Sequence, residues 1–309
     1  MPVTETHIRQ MAHAAGIAIL TLFLWSGAAW PGDQKKVKDP LGRQMTAPVN
    51  PQRIVALAPS ITEIVFALGY EERLAGVTMF SDFPEAARAL PKVGSYVHLD
   101  LEKIVSLDPD LCIAVKDGNP KHVVDRLESF GIPVFAVDPK DLESVMDTIL
   151  AIGGLINAGK QAERVVRDMR ARIEFVEGAL AGIDHRPRVF FQIGIDPIVS
   201  AGSQTFINEL IVRAGGDNLA AGGVPYPRFS REQVLNLRPD VMIITSMARD
   251  AIFEKVKAYW SQWPGMPAVQ YGRIHLQESN IYDRPTPRLI QGLETLSKIL
   301  HPQRFQGVP

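Results

Sequence analysis

Aromatic and polar side chains in predicted loops are the residues of this chain best suited to bind a ligand. Phe80 lies in MFSDFPE, Tyr96 in GSYVHLD, Tyr226 in VPYPRFS, and Asn280 and Arg284 in ESNIYDRPTPR. Aromatic rings can cover a large flat ligand, while an arginine or an asparagine can hold its polar edge. Loop packing is the alternative for any single ring, but their occurrence in both halves of the chain favours a binding cleft.

The chain carries none of the sequence motifs that mark common catalytic sites. We find no G-x-S-x-G, P-loop, G-x-G-x-x-G or metalloprotease pattern. The seven histidines are scattered, with no two at ligand spacing on one predicted element. The sequence therefore predicts no catalytic residue, no protein metal site and no enzymatic activity.

Two acidic residues occupy equivalent positions in the two halves of the chain. Glu102 and Glu232 each fall in the first turn of a predicted helix, where Asp100 or Ser230 is the expected N-cap. Ser230 and Gln233 also form a capping-box pattern. The helix dipole favours a carboxylate there, so capping explains either glutamate alone. Their shared position instead favours docking on a symmetric partner that offers arginine sockets.

The segments around these glutamates repeat each other. Residues 101–114 read LEKIVSLDPDLCIA and residues 231–244 read REQVLNLRPDVMII, so that a glutamate, a leucine, a proline and an aspartate match in register. A second, looser echo pairs TEIVFALG with NELIVRAG, which aligns Glu63 with Glu209. Two echoes in the same order indicate a duplicated architecture.

The stretch from Ala158 to Gly182 separates the two halves and is predicted to be one long helix. Its apolar residues recur at helical spacing, at Ala162, Val166, Met169, Ile173, Val176 and Leu180. About 25 helical residues span roughly 37 Å, which is longer than one small core requires. We expect this helix to bridge two bodies.

Short β-branched strands alternate with helices on both sides of this long helix. The pattern predicts two Rossmann-like α/β lobes with mostly parallel sheets, and a ligand cleft between them at the strand ends. Ser60 or Thr62 is the expected cap of the first helix, and Asp33 to Asp39 is predicted to be a solvated linker. The predicted units are a signal peptide (1–29), a linker with an N-terminal hairpin (30–50), an N-terminal lobe (51–157), the bridging helix (158–183) and a C-terminal lobe (184–309).

The N-terminus has the order of a secretory signal. A weakly basic segment precedes the apolar run from Ala14 to Trp25, and small residues follow it. The run is short for a membrane span of about 20 residues, so cleavage after Ala28 or Ala29 and export are expected. An uncleaved membrane anchor is the alternative.

The composition is that of an ordinary globular protein. With 309 residues, of which 46% are hydrophobic and 22% charged, the chain can bury a sizeable core and fits two domains. A formal net charge of −1 and the absence of a basic stripe give no reason to expect a nucleic-acid partner. The only cysteine, Cys112, lies in an apolar run and is predicted to be a buried strand residue.

Six stretches of this sequence resemble the periplasmic binding proteins of ABC importers for cobalamin, iron siderophores and haem. The resemblance runs from about Arg53 to Leu300 and rests on RIVALAPSITEIVFALG, FSDFPE, LEKIVSLDPDL, FFQIGIDP, VPYPRFSREQVL and SNIYDRPTPR. The first and third stretches are general to this superfamily, whereas FSDFPE, YPRFSREQVL and the last are similar to its cobalamin-binding branch. The resemblance implies two α/β lobes, one bridging helix, little hinge motion and a corrinoid ring held in the cleft.

The resemblance also implies roles for individual residues. Permease docking falls to the two matched glutamates, and ligand binding to Phe80, Tyr96, Ile193, Tyr226, Asn280 and Arg284. Two tyrosines stand where the cobalamin branch has tryptophan, Asn280 replaces an aspartate and Ile193 replaces a phenylalanine. These departures leave the general role intact and the particular corrinoid open. His98, close to Tyr96, is expected to be a solvated loop residue, with coordination of a corrinoid cobalt as the alternative.

The residues and the resemblance together predict a monomeric periplasmic receptor that captures cobalamin or a related corrinoid and delivers it to an ABC permease dimer in the inner membrane. The alternative is a haem or ferric-siderophore receptor, in which Tyr96 or Tyr226 ligates iron or stacks on the ligand. A corrinoid-processing or chelatase-like enzyme needs a general base in the cleft, and the export signal and the paired glutamates disfavour it. No cofactor is expected.

Overall fold

Residues 33–245 and 251–307, which the structure (a computed structural model) describes, form a hairpin and two α/β lobes joined by one long helix. The predicted signal peptide lies outside these residues. No helix within them combines the length and the apolar character needed to cross a membrane.

An antiparallel hairpin precedes the first lobe. Its strands are β1 (Gln34–Lys38) and β2 (Gln44–Pro48). The prediction of a hairpin is confirmed, but the prediction of a solvated linker from Asp33 to Asp39 is wrong, because β1 occupies most of it. Lys35 donates hydrogen bonds to two carbonyls at the end of a helix of the first lobe, at 3.3 and 3.1 Å. The hairpin is therefore attached to that lobe.

The N-terminal lobe is a four-stranded parallel sheet covered by helices. Its strands are β3 (Ile54–Ala56), β4 (Leu74–Val77), β5 (Leu111–Val115) and β6 (Val134–Val137), and its helices are α1 (Pro59–Ala67), α2 (Leu101–Ser106), α3 (Lys121–Ser129) and α4 (Leu142–Leu155). The strand order is β4, β3, β5, β6, and every pair is parallel. Strand β5 is buried along its whole length, including Cys112 as predicted, because helices cover both faces of a parallel sheet.

Helix α1 begins differently from the prediction. Its N-cap is Ala58, and a proline occupies its first position, where the missing N–H has no partner to lose. The predicted caps Ser60 and Thr62 lie inside the helix and are buried. The hydroxyls of Thr62 and Ser81 hydrogen-bond at 2.9 Å, which ties α1 to the loop that carries Phe80.

One 21-residue helix, α5 (Gly159–Ala179), joins the two lobes. All six residues of its predicted apolar face are buried. Arg170 pairs with Glu143 on α4, while Arg172 makes two hydrogen bonds of 2.8 Å to Glu294 on the last long helix of the second lobe. At about 1.5 Å per residue the helix spans roughly 31 Å, so the prediction of a helix that bridges two bodies is confirmed.

The C-terminal lobe is built on a six-stranded mixed sheet. Its strands are β7 (Arg188–Gly194), β8 (Ile198–Ser200), β9 (Asp217–Asn218), β10 (Arg228–Phe229), β11 (Val241–Ile244) and β12 (Ile274–Leu276). The order is β10, β8, β7, β11, β12, with β9 beside one end of β7. Strands β8 and β10 run antiparallel to their neighbours. The two α/β lobes are confirmed, but only the N-terminal sheet is wholly parallel.

Helices cover this second sheet as they cover the first. They are α6 (Phe206–Arg213), α7 (Arg231–Leu237), α8 (Ala251–Trp260), α9 (Pro267–Gln270), α10 (Asn280–Asp283) and α11 (Leu289–Leu300). One continuous apolar cluster includes buried residues of β3 and β5, of α5, and of β7, β11 and α11. Two smaller clusters fill the other faces of the two sheets. The main core therefore belongs to both lobes.

Candidate ligand-binding cleft

A cleft of about 1690 Å³ lies between the two lobes. Residues at or just after the carboxyl ends of parallel strands line it, among them Val115 and Val137 in the first lobe and Thr245 and Leu276 in the second. Ligands bind at this edge of parallel sheets because the strands end there and the loops diverge. Pockets for ordinary small ligands measure about 300–1,000 Å³, so this cleft suits a larger molecule.

All six residues that the sequence assigned to the ligand line this cleft; they are Phe80, Tyr96, Ile193, Tyr226, Asn280 and Arg284. The first two come from the N-terminal lobe and the other four from the C-terminal lobe. Phe80 and Tyr226 are 47% and 59% exposed, so both rings are open to a ligand. The cleft thus presents aromatic surface from both lobes.

The loop after β4 presents Phe80 to the cleft. Ser81 lies at its centre, buried, and hydrogen-bonds with Thr62 and with Thr78 at 2.9 and 3.0 Å. Lys92 donates to the carbonyls of Ser81 and Ala87 at 3.1 and 2.8 Å. These hydrogen bonds fix the backbone of the loop next to Phe80 and so restrict the orientation of its exposed ring.

Tyr96 is held in place by a buried asparagine that the sequence reasoning missed. Asn119 donates to the carbonyls of Tyr96 and Leu57, both at 2.8 Å, and accepts from the N–H of Val115 at 2.8 Å. Gly118 has a φ of +135°, and a Cβ there would come within 2.8 Å of the Tyr96 ring. The short polar segment after β5, which contains Gly118 and Asn119, was the sequence signal that could have predicted this contact.

Tyr226 stands between carboxylates of both lobes. Partial burial raises the pKa of its hydroxyl, and the negative charges of Asp117 in the first lobe and Asp283 in the second add to this effect. A neutral phenol is therefore favoured over a phenolate. In that form it can donate a hydrogen bond to a ligand carbonyl.

Arg284 is engaged by the opposite lobe. One of its terminal nitrogens, Nη1, donates to Glu63 Oε1 at 3.0 Å and to Asp82 Oδ1 at 2.9 Å, and the other, Nη2, donates to the carbonyl of Phe80 at 3.2 Å. The side chains of Arg284 and Glu63 are only 15% and 3% exposed. The arginine thus joins the C-terminal lobe to α1 and to the Phe80 loop. Sequence reasoning missed both carboxylate partners.

A second arginine supports the same contact between the lobes. The guanidinium of Arg288 lies 3.8 Å from the centre of the Phe83 ring, 3.5 Å from Glu63 and 3.2 Å from Glu278. Burial raises the pKa of Glu63, although Arg284 and Arg288 both oppose that shift. The carboxylate is therefore costly to bury and is balanced by two cations.

The lining of the cleft is rich in carboxylates, which are Asp82, Glu85, Asp117, Asp138, Glu254, Glu278 and Asp283. Its cations among the described residues are Arg88, Lys92 and Arg284. Each of the three already binds protein oxygens: Arg88 lies 3.2 Å from Glu85, Lys92 donates to two carbonyls, and Arg284 binds two carboxylates. The lining therefore offers more hydrogen-bond acceptors than uncommitted positive charge.

Comparison with known proteins identifies the family. The model of the periplasmic binding protein family matches residues 54–280. The chain belongs to this family. Its members bind substrates without transforming them and work with ABC transporters, so the prediction of no enzymatic activity is confirmed.

The relatives of this periplasmic binding protein include receptors for different ligands. A vitamin B12-binding protein of Vibrio vulnificus (strain CMCP6) is 32% identical over 245 residues, which are 79% of this chain and 88% of that protein. The crystal structure of the periplasmic vitamin B12 binding protein BtuF of Vibrio cholerae superposes with a TM-score of 0.73 at 30% identity, covering 84% of this chain and 100% of the other. A periplasmic haem-binding protein from Pseudomonas aeruginosa superposes with a TM-score of 0.74 at 29% identity, covering 82% and 93%.

The two matched glutamates of this periplasmic binding protein lie outside the cleft, exposed on α2 and α7. Asp100 caps α2 through a hydrogen bond of 3.1 Å from the N–H of Lys103, and Ser230 caps α7 in a capping box. Glu232 pairs with the adjacent arginine at 3.0 Å, and its own backbone N–H contributes most to lowering the pKa of its carboxyl group. Because both side chains are exposed, Glu102 and Glu232 are accessible to a partner.

His98 is exposed at the end of the Tyr96 loop and is not among the residues that line the cleft. This position agrees with the prediction of a solvated loop residue. No group of three or more histidine, cysteine, aspartate or glutamate residues in the described part of the chain is arranged to hold a metal ion.

Proposed function

We propose that this protein captures cobalamin or a related corrinoid in its cleft and delivers it to an ABC permease. Two relatives, at 32% and 30% identity, are vitamin B12-binding proteins. The volume of about 1690 Å³ and the aromatic side chains from both lobes suit a large, flat macrocycle. Phe80, Tyr96, Ile193 and Tyr226 contact its faces, and Asn280 and the remaining N–H donors of Arg284 bind groups at its rim.

The observation that carries this proposal is the surplus of acceptors in the cleft. Haem has two carboxylates and ferric siderophores are commonly anionic, so burying them requires uncommitted cations. A corrinoid ring instead has amide side chains around its rim, whose N–H groups donate to carboxylates. The cleft carboxylates, with the three lining cations committed to protein oxygens, match the corrinoid better.

A haem receptor is the second candidate. The haem-binding structure at 29% identity supports it, and so do Tyr96 and Tyr226, whose phenols can ligate ferric iron or stack on a porphyrin. Under this alternative a phenolate forms, which the surrounding carboxylates oppose at Tyr226.

Location and partner follow from the same proposal. Residues 1–29 are a cleaved export signal, the mature monomer works in the periplasm, and the permease dimer of the inner membrane receives Glu102 and Glu232 in matching sockets. The relation between the two glutamates in the duplicated fold supports a two-fold partner.

Isothermal titration of the mature chain, from about Ala29 onward, with cyanocobalamin, cobinamide and haemin tests the ligand. We expect one-to-one binding of cyanocobalamin and cobinamide, and weak or no binding of haemin. The ratio between the two corrinoids reports how far the cleft contacts the nucleotide loop. Binding of haemin alone, or a haem Soret band in the purified protein, would replace the corrinoid proposal with the haem alternative.

A further inference from the structure

Among the described residues, polar contacts between the lobes occur at two places that each include a glutamate. Glu63 on α1 of the N-terminal lobe binds Arg284 of the C-terminal lobe. Glu209 on α6 of the C-terminal lobe accepts a hydrogen bond of 2.8 Å from the N–H of Leu142 in the N-terminal lobe. These two glutamates are the pair that the looser sequence echo aligned. The duplicated fold has thus placed a lobe-to-lobe contact at equivalent positions.

The contact at Glu209 caps a helix of the other lobe. Leu142 is the first residue of α4, so its N–H has no acceptor within that helix. The carboxylate of Glu209 supplies one and is fixed in turn by Arg213 at 2.8 Å. A negative charge at this helix end is also favoured by the helix dipole.

The contact at Glu63 supports the loop that carries Phe80 from outside the main cleft. Glu63 does not line the main cleft but a separate cavity of about 210 Å³, together with Phe66, Phe83 and Arg288. It can therefore act on a ligand in the cleft only through its neighbours. Of its two arginine partners, Arg284 is the one that lines the cleft, and it also binds Asp82 and the carbonyl of Phe80.

We propose that Glu63 is a positioning residue for ligand binding, which holds Arg284 so that this arginine fixes both the Phe80 loop and the separation of the lobes. Glu209 fixes the same separation at the second contact. The effect on ligand affinity rests on the proposed function, whereas the effect on lobe separation does not. Removing one partner of a buried ion pair leaves an uncompensated charge in the interior, so a change at Glu63, which is 3% exposed, should alter the arrangement around Arg284.

A double-mutant cycle tests whether Glu63 acts through Arg284. We expect Glu63→Gln and Arg284→Met each to weaken cyanocobalamin binding about tenfold or more, because each leaves a buried charged group without its partner. If the two residues act as one unit, the affinity of the double variant for cyanocobalamin equals that of the single variant with the larger loss of affinity. Additive losses, or an affinity unchanged by Glu63→Gln, would show that Glu63 does not position the arginine.

A distance measurement in the ligand-free protein tests the separation of the lobes. Spin labels at Ser106→Cys on α2 and Asn236→Cys on α7 place one probe on each lobe, at matched exposed positions. The native Cys112 is fully buried and burial raises the pKa of its thiol to about 12, so it does not react with the label. We expect a shifted or broader distance distribution in Glu63→Gln and in Glu209→Ala.

The matched control is Glu294→Gln, which removes an ion pair that joins α5 to α11 rather than one lobe to the other. It should leave the distribution as in the parent. Distributions that coincide for the parent, Glu63→Gln and Glu209→Ala would overturn the inference. If the parent protein binds no corrinoid, the proposed ligand is wrong, and the distance measurement still decides the role of the two glutamates.

Discussion

Asp283 is a cleft residue whose carboxyl group changes its ionisation in mildly acidic solution. It lines the cleft at the end of α10. Its side chain is open to solvent in the empty cleft, but desolvation by the surrounding protein still raises the pKa of its carboxyl group to about 6. The charges of Glu63 and Glu278 add to this rise, and Arg284 opposes it. The carboxyl group therefore donates a hydrogen bond in mildly acidic solution and only accepts hydrogen bonds at neutral pH.

We predict that cyanocobalamin binds more tightly as the pH rises from about 5 to about 7.5. The amide N–H donors of a corrinoid favour the ionised carboxylate, so ligand binding lowers the pKa of Asp283 and releases a proton. Asp283→Asn should remove most of this pH dependence in titration calorimetry. Asp117→Asn is the control, because its side chain is 89% exposed at the rim, and it should keep the dependence. An affinity of the parent protein that does not change with pH would contradict the prediction.

The sequence indicated which residues line the cleft better than it indicated their partners. Loop aromatics and an arginine in one short motif are visible in the sequence, and all of them line the cleft. Glu63 and Asp82 are separated from Arg284 by 221 and 202 residues, and no local pattern relates positions so far apart. The predicted caps Ser60 and Thr62 were wrong for a local reason, because Pro59 favours the first position of α1 and so places its N-cap at Ala58.

Helices α4 and α5 pack most closely at a glycine. A Cβ at Gly153 on α4 would come within 2.5 Å of the Cβ of Ala162 on α5 and 3.3 Å of the carbonyl of Ala158. We predict that Gly153→Ala lowers the free energy of unfolding by about 1–3 kcal/mol, because neither neighbour is a flexible side-chain end. Chemical denaturation measures this change.

The adjacent glycine provides the control for this packing. A Cβ at Gly154 meets no atom within 4 Å, and alanine in a helix interior is favoured over glycine by about 0.5–1 kcal/mol. Gly154→Ala should therefore stabilise the protein while Gly153→Ala destabilises it. Equal effects at both positions would mean that helix propensity, and not the contact between α4 and α5, decides the outcome.

Elements with a long apolar pattern were predicted well, and very short ones were not. The apolar face of α5 is buried as expected, and so is Cys112 within the apolar strand β5. Strands β8, β9 and β10 have three residues or fewer, too short to show a period of two. Their pairing with β7 and with each other depends on tertiary contacts, which is why the antiparallel edge of the second sheet was missed.

Variants of Glu102 and Glu232 allow delivery of the ligand to the permease to be tested separately from its binding in the cleft. We predict that Glu102→Ala with Glu232→Ala abolishes corrinoid transport in a reconstituted importer and leaves the affinity for cyanocobalamin unchanged. Thermal stability should change little, because Asp100 and Ser230 still cap α2 and α7.

The control for this prediction replaces two exposed glutamates of α5, Glu163 and Glu174, with alanine. This variant loses the same charge and should transport normally. Loss of ligand affinity in the docking variant would instead make the two residues part of the cleft or of the folded core.

The apolar cluster that runs from β3 and β5 through α5 to β7 and β11 has a consequence for how the chain acquires its structure. During synthesis the first half of the chain emerges before α5 and the second sheet, and until they arrive part of the apolar surface of its helices α1 and α4 has no packing partner. Neither half can complete its interior alone. The two lobes, which look like separate domains in the sequence, therefore form one cooperative folding unit, and a nascent or truncated half exposes the apolar surface that chaperones and proteases recognise.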